Sequence, residues 1–313
     1  MSDPGTILML LAIALALDAV FGEPEWLYSR IPHPIVLGGK AIGFLDWRLN
    51  RSRDSASQQK ASGIIAMVLL AAGGAMLGLI VEAIPFGALL SALIAAVLLS
   101  HRSLVEHVEA VGSGLAKGLD EGRAAVGRIV GRDPEALDEA GVARAAIESA
   151  AENFSDGIVA PAFWFAVAGL PGLIVYKLVN TADSMIGHRN EKYRHFGWAA
   201  ARLDDLMNLV PARLTAALFA LADLSLTPLK TAWRDAKGHK SPNAGWPEAA
   251  MAAILDLRLA GPRRYEGRIV DDPWMNPEGR EDATPDDIAG SVNLIWRAWA
   301  VLLAASIFGA LVL

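Results

Sequence analysis

The sequence predicts an all-α, polytopic integral membrane protein with about four crossing helices, one or two re-entrant or buried helical hairpins, and helical cytoplasmic loops. Three observations carry this reading. Hydrophobic residues make up 53% of the 313 positions and charged residues only 20%, an apolar excess over ordinary soluble domains. The apolar residues gather into runs long enough to cross a hydrocarbon core of roughly 30 Å. The polar remainder shows helical periodicity and no strand-like alternation or long repeat. The net charge of -6 gives no electrostatic footprint for a nucleic-acid backbone. With no Cys, disulfides, thiolate metal sites and cysteine nucleophiles drop out together.

The first span, residues 7–21, has no Lys or Arg before it, so it lacks the charged start of a secretory signal and reads as a retained anchor. Residues 63–81 and 85–99 form a helical hairpin joined by Glu82-Ala83-Ile84. Residues 294–313 close the chain, with Trp296, Arg297 and Trp299 as an interfacial anchor. Two other apolar segments are interrupted. Residues 157–179 break at Gly169-Leu170-Pro171-Gly172, and 206–224 contain Pro211, Arg213 and Asp223, so both read as re-entrant or protein-buried hairpins. Basic residues crowd 22–62 (Arg30, Lys40, Arg48, Arg51, Arg53, Lys60) and 100–156 (Arg102, Lys117, Arg123, Arg128, Arg132, Arg144). The positive-inside rule then makes 100–156 and 225–293 cytoplasmic, in one integrated domain of the cell membrane whose active site faces the cytoplasm. Leu104, Val108, Val111, Leu115 and Leu119 recur at helix spacing, and Asp133-Pro134 is an N-cap followed by proline.

Polar residues peak between Glu148 and Arg213. Glu148 and Glu152 are four apart, so a helix turns both carboxylates one way, with Asn153 and Asp156 at its end. A solvated acidic face would have the same spacing. Asp156, however, opens directly into an apolar hairpin, where an unpaired charge is costly, and this points to a metal or phosphate-linked role. Lys177, Asn180 and Ser184 share a helix face beside Asp183, and Arg189, Lys192 and Arg194 precede Arg202-Leu203-Asp204-Asp205. Carboxylates of this kind suit Mg²⁺ and the bases suit phosphate oxygens, although an interfacial salt-bridge network would use the same residues. His101 and His107, six apart, fall on different helix faces, His188 and His195 would align only if Gly187–Gly197 were continuous helix, the nine Trp fit an interfacial belt, and the sequon Asn153-Phe154-Ser155 falls on the cytoplasmic side. No nucleotide-binding or hydrolase motif of the common kinds is present.

These same residues carry a family resemblance. The run from Glu148 through Glu152, Asn153, Asp156 and Gly157 to Pro161, then Tyr176-Lys177 through Asn180, Asp183 and Ser184 to Gly187, resembles the core of the CobD/CbiB cobalamin-biosynthesis family. Glu191-Lys192-Tyr193, Arg202 with Asp204-Asp205, and Pro211 with Arg213-Leu214 continue it in order. It extends to Asp18, Phe21-Gly22-Glu23-Pro24 and His33-Pro34 upstream, and to Ser241-Pro242-Asn243, Trp246, Glu248 and Gly261-Pro262 downstream.

The resemblance implies an adenosylcobinamide-phosphate synthase. Such an enzyme is an ATP-dependent ligase that joins (R)-1-amino-2-propanol, or its O-phosphate, to a propionate of adenosylcobyric acid. It also implies ATP and Mg²⁺ as cofactors, membrane lipid as surroundings, and other membrane-bound late cobalamin-pathway enzymes as partners. On the matched positions, Glu148, Glu152 and Asp183 are expected to be catalytic, with Asp156, Asp183, Asp204 and Asp205 on the metal. Lys177, Asn180, Ser184, Arg189, Lys192, Arg202, Arg213, Ser241 and Asn243 are expected on phosphate or substrate. A transporter of a small anionic or corrinoid molecule is the competing class, since broken hydrophobic segments with buried charge also mark transporters; a scaffold that anchors soluble partners is the third.

Overall fold

The structure is a computed structural model and describes residues 3–23, 28–30, 32–131, 133–265, 268–270 and 272–313. Pro24 of the upstream motif and Arg132 of the basic count lie outside them. The helices are α1 (Pro4–Phe21), α2 (Pro34–Leu49), α3 (Ala56–Ala83), α4 (Gly87–Leu98), α5 (His101–Leu115), α6 (Leu119–Val126), α7 (Glu139–Phe154), α8 (Ala160–Ile186), α9 (Trp198–Met207), α10 (Leu209–Asp223), α11 (Thr227–Asp235), α12 (Gly245–Ile254) and α13 (Pro285–Val312). A π-turn, Ser155–Val159, joins α7 to α8.

Among the described residues, five helical stretches are long and apolar enough to cross a membrane: Pro4–Phe21, Ala56–Ala83, Gly87–Leu115, Glu139–Ile186 and Pro285–Val312. The count exceeds the expected four because the stretch that contains 157–179 also passes on length and apolarity. The expected break is nevertheless there. Ala168 and Gly169 leave helical geometry, Gly169 at φ +62°, a left-handed conformation that favours glycine. An added Cβ on Gly172 would touch the Trp164 carbonyl and Ala168, although eight residues of straight helix rise about 12 Å, so the chain folds back sharply here. The Leu170 N–H freed by the break donates to Glu82 Oε1 at 2.9 Å. Glu82, read from sequence as part of a connector, thus satisfies backbone that lipid could not.

The segment 206–224 resolves into the end of α9 and α10, with a break at Asn208. α9 is ten residues, about 15 Å long, and lies outside the five spans. The polar region 225–293 carries two antiparallel ladders that the sequence did not predict. β1 (Leu259–Ala260) pairs with β4 (Trp274–Met275), and β2 (Arg263–Tyr265) with β3 (Arg268–Val270). Strands of two or three residues are too short for period-two alternation to register.

The chain forms two compact units. The first comprises Met1–Ser100, Ala160–Asn208 and Ser306–Leu313; the second comprises His101–Val159 and Leu209–Ala305. The core of the first gathers Ile42, Met67, Tyr176, Val179, Ile186 and Phe196 from α2, α3, α8 and the loop after α8. The second is built on α7, whose residues Ala143, Ile147, Ala150 and Phe154 are fully buried, Phe154 stacking on Phe219 at 5.3 Å between centroids.

Candidate active site

In the first unit, α8 carries Asp183 in its last turn and α9 carries Asp204. Asn180 Nδ2 donates to Asp204 Oδ1 at 3.1 Å, and Asn208 Nδ2 donates to Asp204 Oδ2 at 3.1 Å. The buried Tyr176 hydroxyl donates in turn to Asn208 Oδ1 at 3.0 Å. Both oxygens of Asp204 are therefore held by amides, and that of Asn208 is itself oriented by Tyr176. Burial pushes the Asp204 carboxyl up to about 6, and the negative charge of Asp183 adds to the rise, while the two amide bonds oppose it. Asp205 is also raised by burial, but the charges of Arg202 and Arg189 counter that; Arg202 Nη1 lies 3.6 Å from it.

Gly187 closes the α8 end of this cluster. Its N–H donates to the Asp183 carbonyl at 2.7 Å, and any Cβ there would collide with the Asp183 carboxylate and carbonyl. The loop from Gly187 to Gly197 is clamped on α2. Lys192 Nζ pairs with Asp46 Oδ2 at 2.9 Å, the Tyr193 hydroxyl donates to the same oxygen at 3.2 Å, and Asn50 Nδ2 donates to the Lys192 carbonyl at 3.2 Å. Lys192, expected on phosphate, thus has a carboxylate partner of its own. Arg189 is exposed on this loop. Ser184 donates back to the Asn180 carbonyl at 3.1 Å, and Lys177 lines an apolar groove one turn before Asn180.

The other expected residues belong to the second unit. Glu148 is 6% exposed and accepts the Ala260 N–H at 2.8 Å; Glu152, one turn on, is exposed. The helix spacing is as expected, but the two carboxylates have different surroundings and are not a matched pair. Glu148 lines a cavity of about 340 Å³ together with Arg144, Asp138 and Trp274. Asp156 sits in the π-turn, a distortion often found at functional sites, and is not in the unit that holds Asp183, Asp204 and Asp205. Arg213 donates to the Leu209 carbonyl at 2.6 Å and stacks 4.6 Å from the Trp246 ring centroid. Ser241 Oγ accepts the Asn243 and Ala244 N–H groups at 3.2 Å, just before α12. Asn243 is buried.

Among the described residues, no three His, Asp or Glu side chains converge to hold a metal ion by themselves. The expected four-carboxylate set is therefore not assembled. Mg²⁺ commonly binds through one or two carboxylates, completing its shell with water and substrate phosphates, and Asp183 with Asp204 fit that lesser role because a divalent cation relieves their mutual repulsion. Asp46 and Asn50 were missed from sequence, and Tyr193 was read only as part of the family motif. Asp46 lies 146 positions from Lys192, and no local spacing signals such a partner.

Fold and site together define a polytopic helical membrane protein with a half-buried, amide-held carboxylate beside a second carboxylate and basic residues. The chain belongs to the CobD/CbiB family: the family model described as CobD/Cbib protein matches residues 11–295. Curated relatives named cobalamin biosynthesis protein CobD include that of Sinorhizobium sp, 53% identical over 95% of this chain and 96% of the relative. That of Rhizobium meliloti is 51% identical over 96% and 95%, and that of Rhodobacter capsulatus 47% over 93% of each. No solved structure matches the chain.

Proposed function

We propose that this chain is the ligase that forms the amide between a corrinoid propionate, that of adenosylcobyric acid, and (R)-1-amino-2-propanol or its O-phosphate, with consumption of ATP. The coarser statement, a part in cobalamin biosynthesis, follows from the family. The observation that carries the finer one is Asp204, a half-buried carboxylate held by the Asn180 and Asn208 amides beside Asp183, with its pKa raised to about 6.

A carboxylate does not expel oxide when an amine attacks it, so it must first be activated. Transfer of the γ-phosphoryl group of ATP to a carboxylate oxygen gives an acyl phosphate and ADP; attack by the amine then gives the amide and inorganic phosphate. When bound, Mg²⁺ neutralises charge on the nucleotide phosphates, and Asp183 and Asp204 are the residues that would hold it. Arg189 and Arg202 supply cations for phosphate or substrate carboxylate. The incoming amine must lose a proton before attack, which calls for a carboxylate acceptor other than the pair that would hold the metal.

The test is an amidation assay with purified protein, cobyric acid, aminopropanol phosphate and MgATP. Amide product that requires all three supports the ligase, and its absence in folded protein overturns it. The broken helix at Ala168–Gly169 favours a second reading, a transporter of a small anionic or corrinoid molecule. Uptake by protein-containing liposomes without product formation would select that reading.

A further inference from the structure

Helix α2 is 16 residues, about 24 Å, too short to cross the core and not among the five spans. It nevertheless turns large apolar side chains outward. Leu37 is 53% exposed, Phe44 57% and Trp47 72%, and the spacings of seven and three put them on one face. Arg48 lies over the Trp47 ring at 5.4 Å, and Phe44 packs on Trp47 at 6.1 Å between centroids. Arg51 and Arg53 follow directly, both exposed like Arg48. Asp46, the acid within this turn, is ion-paired to Lys192, so against the three guanidinium groups only Asp54 stands nearby in sequence.

Beside this helix runs an apolar groove of about 560 Å³ between α2 and α3. Phe44 and Leu45 line its α2 side, Gly73 and Leu77 its α3 side, and Leu178 and Lys177 of α8 its floor. On α3 the lining runs from Leu69 to Val81, about 18 Å of helix, close to the depth of one leaflet of a roughly 30 Å core. Phe44 belongs both to the groove and to the aromatic-basic end of α2.

We propose that this groove binds one anionic phospholipid. Its acyl chain lies between α2 and α3, and its phosphate is held by Arg48, Arg51 and Arg53 beside Trp47. Exposed aromatic and aliphatic side chains next to a basic row are the composition of an interfacial helix that prefers anionic lipid. Charge complementarity therefore selects the headgroup, and the groove supplies the room for its chain. The proposal is tested without the ligase reaction.

Full-length protein is purified, stripped of lipid in mild detergent and titrated with phosphatidylglycerol or phosphatidylcholine of identical chains, and bound lipid is counted by native mass spectrometry. Phosphatidylglycerol should be retained at least tenfold over phosphatidylcholine, and the triple change Arg48→Gln, Arg51→Gln, Arg53→Gln should abolish the preference. Gly73 has nothing within 4 Å of an added Cβ, so Gly73→Leu fills the groove from its wall and should lose both lipids. Gly43→Leu has the same open space but does not line the groove, and should keep them. Equal retention of the two lipids by the unaltered chain overturns the proposal. So does full phosphatidylglycerol binding by Gly73→Leu with an unchanged melting temperature, including the case where the groove is covered by a second copy. If Gly73→Leu fails to fold, the exposed arginine triple decides alone.

Discussion

Asn180 on α8 and Asp204 on α9, 24 positions apart, meet in a 3.1 Å amide-to-carboxylate hydrogen bond. This bond favours the ionised form of a carboxylate that burial and Asp183 drive the other way. Asn180→Ala should therefore raise the Asp204 pKa further above 6. The acid limb of the pH–rate profile for amide formation is expected to move to higher pH by a fraction of a unit or more, with smaller losses at pH 8 than at pH 6. An unmoved limb removes Asp204 from the titration that governs turnover.

The same shift has a consequence for stability. Asp204 binds its proton more tightly folded, at about 6, than unfolded, at 3.8. A raised carboxyl stabilises the folded state when protonated, so stability is fully present below about 4 and is lost as pH rises through about 6. Its size is at most about 3 kcal/mol. Asp204→Asn, which keeps the shape without the charge, should flatten this dependence between pH 4 and 7 in thermal unfolding while abolishing turnover. A slope equal to that of the unaltered protein would show that other groups set it.

Gly187→Ala tests the seat of Asp183. The new methyl meets both the Asp183 carboxylate and its carbonyl, so the side chain must turn away. Turnover is expected to fall at least tenfold, with a melting temperature lowered by only a few degrees because the loop is held elsewhere by Asp46. Turnover close to that of the unaltered protein would mean that the position of Asp183 is unimportant to the chemistry.

Asp46→Ala should free Lys192 and Tyr193 together and loosen the loop that carries Arg189. Exposed ion pairs contribute little, about 0–1 kcal/mol, so the expected effect is not on global stability. A raised KM with a nearly unchanged kcat, and faster hydrogen exchange across 188–196, is the outcome a positioning role requires. Equal loop exchange in both proteins would refute that role.

How far the sequence foretold these features depends on whether the signal is local. The spans were legible because an apolar run of bilayer length is a one-dimensional property, and the break near Gly169 because Gly and Pro act on their own backbone. The use of Glu82 to satisfy that break was not legible, since 88 positions separate donor and acceptor. The motif residues were found, but their grouping was not. Glu148 and Asp183 stand 35 positions apart and fall in different compact units, and chain spacing does not report contacts between helices. Ser241 reads from sequence as a substrate ligand but caps backbone N–H groups, a use of serine that needs only its neighbours.

The route of activation is decided by an isotope. An acyl-phosphate mechanism moves one oxygen of the corrinoid carboxylate into inorganic phosphate and releases ADP, whereas an adenylate mechanism moves it into AMP and releases pyrophosphate. The basic residues expected on phosphate, Arg189 and Arg202, lie near Asp205, in the unit that also holds Asp183 and Asp204. That arrangement suits a transferring γ-phosphoryl group and its charge-neutralising ion. With ¹⁸O-labelled cobyric acid, the label is expected in phosphate, with one ADP per amide formed. Label in AMP would replace the acyl phosphate by an adenylate and leave the ligase reading in place. Amide formation without nucleotide cleavage would remove both, and with them the need for Asp183 and Asp204 to hold Mg²⁺.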